Sequence, residues 1–169
     1  MSEELKIDKN KSDAEIYTDL LPQLESLINP DEPIVTNLAN ISAALNDAFD
    51  KISWVGFYIK DNDRLILGPF QGKTACTLIQ FGRGVCGTSF QKKETIIVEN
   101  VDEFPGHIAC DAGSKSEIVV PLIKNDEAYG VLDLDSYSYS SFNEIDKKYL
   151  EEICELLTEK LDFDKFILT

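Results

Sequence analysis

The hydrophobic period of this chain changes twice along its length, and that change narrows the folds open to it more than any other feature. Residues 12 to 28 carry Ile16, Leu20, Leu24, Leu27 and Ile28 at helical spacing. Ser12 and Glu15 stand in front of them at the separation of a capping box. Pro22 is expected to kink or divide that helix, because it lacks an N–H and its ring crowds the preceding turn. A second helix is expected from about Glu32 to Asp50, with Val35, Leu38, Ile41, Leu45 and Phe49 at the same spacing. Then the period shortens. Trp54–Ile59 and Leu65–Leu67 flank an Asp61-Asn62-Asp63 turn, while Glu117–Ile123 and Tyr129–Leu134 flank Lys124-Asn125-Asp126-Glu127, so each pair reads as a hairpin. Short strands over Cys76–Gln80 and Thr95–Val98, and a short helix over Gly84–Lys92, fill the stretch between them. The helical period returns over Asn143–Leu161, with Ile145, Tyr149, Leu150, Ile153, Leu156 and Leu157 as its stripe. Helices at the ends and hairpins between them predict an α+β fold, an antiparallel sheet with the N- and C-terminal helices packed on one face. No repeat, low-complexity tract or long linker interrupts the chain, so residues 1–169 read as one domain, with 1–30 as an N-terminal helical extension and 31–162 as the core.

A length of 169 residues and an apolar share of 43% suffice to bury a genuine core. The formal charge of −15 argues against nucleic acid, whose phosphates need a basic footprint, and against anionic membrane surfaces. No apolar run approaches a membrane span, and Met1–Asn10 lacks the apolar stretch of a secretory signal. A cytoplasmic setting is therefore expected. There thiols stay reduced, and spaced cysteines point to catalysis or metal more often than to structural disulfides.

Three cysteines, Cys76, Cys86 and Cys110, and three acids, Glu117, Asp133 and Asp135, fall within the central segment. Thiolates attack and disulfides form, while carboxylic acids deliver protons, so the set suggests sulfur redox work. Competing motifs are weaker. Gly82-Arg83-Gly84-Val85-Cys86-Gly87 matches the dinucleotide fingerprint, but that fingerprint needs a parallel βαβ unit, and hairpins surround this one; a tight turn into a short helix is the simpler reading. Asp133-Leu134-Asp135 with Glu144 resembles the ends of a calcium loop, yet Tyr137 and Ser138 stand where a ligand and a glycine belong. The three cysteines with His107, the only histidine, contain no C-x-x-C pair, and no metal is expected. Cys154 lies on the last helical stripe and reads as a buried apolar side chain. Cys110 differs, because the run Phe104–Ser114 has little periodicity, and such a loop can expose a thiol and favour its thiolate through backbone N–H groups. His107 in the same run reads as a surface or loop-anchoring residue. Asp133 and Asp135 project to one face of their strand. Such a pair is ordinarily solvated; lining a pocket, it would repel and desolvate, raising a pKa and making one acid a proton donor at neutral pH. The residues alone lead to a pocket of thiols and acids, with no reaction specified.

From about Pro33 to the last helix the chain resembles the free methionine-(R)-sulfoxide reductases, enzymes built on the GAF fold. The resemblance rests on Ala39-Asn40-Ile41-Ser42-Ala43, Trp54-Val55-Gly56-Phe57-Tyr58, Gly68-Pro69-Phe70-Gln71-Gly72-Lys73 and Phe81-Gly82-Arg83-Gly84-Val85-Cys86-Gly87. Its strongest segments are Phe104–Asp111, Ser116–Pro121 and Gly130–Ser136, and the cysteine separations of 10 and 24 residues are those of the family. The resemblance implies that Cys110 attacks the sulfoxide sulfur of free methionine-(R)-sulfoxide and is left as a sulfenic acid. Cys76 would resolve it as a disulfide that thioredoxin or a similar dithiol reduces, with Cys86 as a substitute or relay thiol. Glu117 and Asp135 would do the acid work and line the substrate, Asp133 would bind the substrate ammonium, and Trp54 would pack against its methyl end. It further implies a homodimer and no cofactor. Two readings compete with it: a GAF module that senses a small molecule or redox state without catalysis, and a zinc-stabilised interaction protein.

Overall fold

The computed structural model describes residues 4–108 and 110–165; residues 1–3, 109 and 166–169, among them the start of the expected N-terminal extension, lie outside it. Its centre is a six-stranded sheet of β1 (Trp54–Asp61), β2 (Arg64–Gln71), β3 (Leu78–Gln80), β4 (Ile96–Val98), β5 (Ser116–Lys124) and β6 (Glu127–Ser136). The spatial order is β3-β2-β1-β6-β5-β4, and every neighbouring pair is antiparallel. The fold is thus the α+β architecture expected, and the antiparallel pairing denies the glycine fingerprint a dinucleotide-binding βαβ unit. Both main hairpins are tight. Asn125 (φ 50°) and Asp126 (φ 63°) form the two-residue β5–β6 turn, and Asn62 (φ 53°) occupies the β1–β2 turn, positions that short polar side chains tolerate.

Helices α1 (Asp13–Leu27), α2 (Ile34–Ala48) and α4 (Glu144–Lys160) cover one face of the sheet. Period-two alternation sends Val55, Phe57 and Ile59 of β1, Ile118, Val120 and Leu122 of β5, and Leu132 and Leu134 of β6 into that layer. There they meet Leu20, Leu24, Leu38, Leu45, Leu150, Ile153 and Leu157, all essentially inaccessible to water. Each such side chain contributes about 1.5–3 kcal/mol. The opposite face carries helix α3 (Gly84–Lys92) and the loops around it, with Val85 and Phe90 packed on Tyr58, Leu65, Val119 and Val131. Gly87 permits this approach, since a Cβ there would stand 2.3 Å from the carbonyl oxygen of Gln80. The fingerprint glycines therefore serve local packing and turning, Gly82 and Gly84 both having positive φ.

Four local expectations need correction. Ser12 does cap α1 through a capping box with Glu15, but the helix runs undivided past Pro22. One hydrogen bond is lost there, while buried Tyr17, Leu20 and Leu24 anchor the turns on both sides. Helix α2 begins at Ile34, two residues late, because Pro33 occupies its N-cap. Cys76 precedes β3 and lies in the loop after β2. In α4 the apolar stripe omits Ile145, which is exposed. The position in register with Leu150 and Ile153 is Asp146, fully buried and held by Lys51 Nζ at 2.7 Å, the Tyr17 hydroxyl at 2.9 Å and its own capping bond from the Asn143 N–H at 2.9 Å. Lys51 also reaches Asp13 at 2.6 Å, so one ion-pair network joins α1, the turn between α2 and β1, and α4. No helix among the described residues is long and apolar enough to cross a membrane.

Candidate active site

Register builds the site. Trp54 of β1 lies opposite Asp135 of β6, which lies opposite Glu117 of β5, so the three form one row across the sheet. The next row is Gly56, Asp133 and Val119. All project away from the three long helices, because their neighbours in sequence fill the helical layer. Helix α3 and two loops roof this face and leave a cavity lined by Trp54, Tyr58, Cys86, Glu117, Asp133 and Asp135 among others. The missing side chain at Gly56 is essential to the wall, since a Cβ there would lie 2.7 Å from the Trp54 ring and 2.3 Å from Phe70. The indole is fixed by offset stacking on Phe70, with centroids 5.4 Å apart, and on Tyr58 at 6.0 Å.

The carboxyls are buried, and burial pushes all three above the usual range. Mutual repulsion adds to it: Asp135 raises Glu117, Glu117 raises Asp133, and Asp133 raises Asp135. The pocket alternative foreseen for Asp133 and Asp135 is therefore the one realised, and the cluster retains protons at pH values where free carboxylates have lost theirs. Asp133 Oδ1 is buried without a hydrogen-bond partner, in a residue that lines the cavity. His107 stands in the cavity wall, not on the surface, with Nε2 3.5 Å from Glu117 Oε2. Burial lowers its pKa, so this contact joins a neutral imidazole to a proton-holding carboxyl.

The thiols divide by environment. Cys76 and Cys110 form a disulfide, with Cα atoms 5.5 Å apart, at the rim of the cavity. Cys110 is exposed and Cys76 half-buried, so the bond can be reached from solvent. Cys86 is buried on α3, and burial, then Asp133 and Glu117, hold its thiol well above the ordinary range. A thiol in that state is a poor nucleophile. Its sulfur and one oxygen each of Glu117 and Asp133 lie within 4.8 Å of one another, a set of donors that cations can approach. The pairing of Cys76 with Cys110 removes two of the four donors of the zinc set weighed above. Cys154, on α4, is buried in the helical layer on the other face of the sheet, as its place on the stripe implies.

All seven residues singled out in the sequence thus gather at one place: Trp54, Cys86, Cys110, Glu117, Asp133 and Asp135 in the wall, and Cys76 bonded to Cys110. Others escaped notice. The Tyr58 hydroxyl donates to the Cys76 carbonyl at 3.0 Å, and Trp54 Nε1 donates to the Lys73 carbonyl at 3.0 Å, so β1 holds the loop that carries Cys76. Asp111 accepts from Tyr137 and from the Gly113 N–H on the neighbouring loop. Tyr58 could have been found, since it shares the face of Trp54 at the strand period; Lys73, Asp111 and Tyr137 had no such signal.

The GAF domain family matches residues 34–162. GAF domain-containing protein A of Dictyostelium discoideum is 52% identical to this chain, over 93% of it and 99% of the relative. The free methionine-R-sulfoxide reductase of Saccharomyces cerevisiae is 45% identical, over 91% of this chain and 90% of the relative. Among solved structures, the free methionine-R-sulfoxide reductase from Neisseria meningitidis, in complex with its substrate, superposes with a TM-score of 0.87 at 46% identity, covering 93% of this chain and 95% of that one. The chain belongs to the GAF domain family and, within it, to the free methionine-R-sulfoxide reductases.

Proposed function

We propose that this chain reduces free L-methionine-(R)-sulfoxide to methionine, with Cys110 as nucleophile and Cys76 as resolving thiol. The observation that carries the reading is the Cys76–Cys110 pair at the rim of a cavity walled by three proton-holding acids. Cys110 as thiolate attacks the sulfoxide sulfur while a carboxyl of Glu117 or Asp135 delivers a proton to the departing oxygen. The oxygen ends on Cys110 as a sulfenic acid, and the sulfoxide, having gained two electrons, leaves as methionine. The Cys76 sulfur then bonds to Cys110, the S–O bond breaks, and water departs. A thioredoxin-type dithiol returns two electrons and two protons to the disulfide. Asp133, with its unpartnered Oδ1, accepts the substrate ammonium, and the Trp54 ring packs against the methyl end. A methionine residue within a chain has no ammonium to offer these acids, which supports a free amino acid as substrate. Cys86 stays outside the exchange on this reading, its thiol held protonated by burial beside Asp133. Residues 31–162 form the catalytic core and 1–30 its helical extension, acting as a cytoplasmic homodimer that needs no metal or cofactor.

The test is turnover of the separated R and S epimers with a thioredoxin system, for the wild type and for Cys110→Ser. R-selective activity abolished by the substitution is the expected result. Activity retained in Cys110→Ser would remove Cys110 as nucleophile, and inactivity on both epimers would leave a ligand-sensing GAF module in its place.

A further inference from the structure

Cys76 and Cys110 are 34 residues apart, and neither lies in a helix or strand. While Cys110 carries a sulfenic acid the covalent link does not exist, so other contacts must keep the two loops together. Delay has a chemical consequence, because a sulfenic acid left open to peroxide advances to sulfinic acid. The loop of Cys76 is held by β1 through Tyr58 and Trp54, as described above. The loop of Cys110 is held one residue further on. Asp111 Oδ1 accepts from the Gly113 N–H at 2.9 Å, and Asp111 Oδ2 accepts from the Tyr137 hydroxyl at 2.8 Å, just beyond the end of β6. Lys73 then crosses between the loops, with Nζ 3.5 Å from Asp111 Oδ2 and 5.1 Å from the centroid of the Tyr137 ring. Its backbone carbonyl is the one that Trp54 grips. These bonds to Asp111 also keep its carboxyl below the usual range, the Gly113 N–H foremost. The ion pair alone would be weak, since the Lys73 side chain is 67% exposed. The charge-assisted bond from Tyr137 and the turn bond from Gly113 are the stronger members.

We propose that Asp111, clamped by Tyr137, Gly113 and Lys73, is a positioning residue for disulfide closure, holding the Cys110 loop against the Cys76 loop so that the sulfenic acid is resolved before it is oxidised further. The proposal rests on the reading of Cys110 as the nucleophile, and its effect is that of a raised effective concentration of one thiol beside another.

The experiment oxidises fully reduced protein in two ways: with one equivalent of methionine-(R)-sulfoxide, and with one equivalent of hydrogen peroxide. In the second, the Cys110 thiolate bonds to a peroxide oxygen, the O–O bond breaks, and water leaves. Sulfenic acid is followed by dimedone trapping, closure by the Cys76–Cys110 peptide in mass spectrometry, and sulfinic acid under excess peroxide. Tyr137→Phe keeps the ring under Lys73 and removes only the hydroxyl. It is expected to prolong the sulfenic acid about tenfold, as loss of one charge-assisted bond implies, and to raise the sulfinic yield. The first step should stay within about twofold of wild type. Asp111→Asn is expected to exceed this effect and Lys73→Met to fall below it. Closure at the wild-type rate in both Tyr137→Phe and Asp111→Asn would overturn the proposal, as would equal slowing of sulfenic acid formation and closure, which marks general loosening. If wild-type protein gave sulfenic acid with peroxide but released no methionine from the sulfoxide, the reductase reading would fail while the closure experiment still decided the role of Asp111.

Discussion

Glu117→Gln should make this protein more stable in alkali and much less active. Glutamine preserves the shape of the side chain and deletes the ionisable group. Unfolded, a glutamate titrates near 4.3; in the native pocket, burial and Asp135 push Glu117 well above that. Between the two values the native state holds a proton that the unfolded state has released, so stability is greatest at low pH and declines as pH rises through the native pKa. The cost has a scale. One oxygen of Glu117 and one of Asp133 lie within 4.8 Å, and once alkali has ionised both, two unit charges at that separation repel by about 3.5 kcal/mol at an effective dielectric of ~20. For a chain of this length 1 kcal/mol moves the melting midpoint by about 2–4 °C. Relief of the repulsion should therefore raise the midpoint of the variant by up to ~7–14 °C at pH 9, with little difference at pH 5. Activity should move the other way. Loss of a general acid typically removes a factor of about 10² to 10⁴, and Asp135 remains as a second proton-holding carboxyl, which places the loss in kcat near 100-fold. The assay is a set of thermal melts from pH 5 to 9 on oxidised wild type and variant, beside kcat on the R epimer. Parallel melting curves across that range would refute the claim that Glu117 is a destabilising acid, and wild-type turnover would refute its catalytic use.

Two further outcomes follow from the same geometry. Cys76→Ser should still release one equivalent of methionine from the R epimer and then stall as a dimedone-reactive Cys110 sulfenic acid, whereas Cys86→Ser should still form the Cys76–Cys110 disulfide; peptide mapping that found Cys86 bonded to Cys110 in the wild type would contradict this order. Asp146→Asn leaves Lys51 with only Asp13 and cannot accept from Lys51, Tyr17 and Asn143 together, so it should cost about 3 kcal/mol and lower the melting midpoint by roughly 6–12 °C, and a midpoint within 2 °C of wild type would show the network to be dispensable.

Local order was readable from the chain because it depends on neighbours in sequence. The capping box at Ser12, the α3 boundaries at Gly84 and Lys92 and both hairpin turns follow from spacing and from side chains that tolerate positive φ. The gathering of the thiols and acids was readable for a different reason: resemblance to a family brings together residues that no local pattern connects. Periodicity failed where a charge took an apolar place, as at Asp146, since no hydropathy pattern announces a partner such as Lys51 95 positions away.

What the amino-acid sequence by itself determined was the α+β architecture, the face on which Asp133 and Asp135 sit and the set of thiols and acids that gather at the cavity. Only the tertiary structure decided what those residues are. Cross-strand register set Glu117 beside Asp135 and Asp135 beside Trp54, and the roof of α3 removed water from them. Three ordinary carboxylates thereby became acids that retain their protons. It likewise separated a reachable disulfide from the buried thiol of Cys86, and joined Lys73, Asp111 and Tyr137. The physical reason is that proton affinity and thiol reactivity depend on burial and on charges a few ångströms away, and those neighbours come from distant parts of the chain.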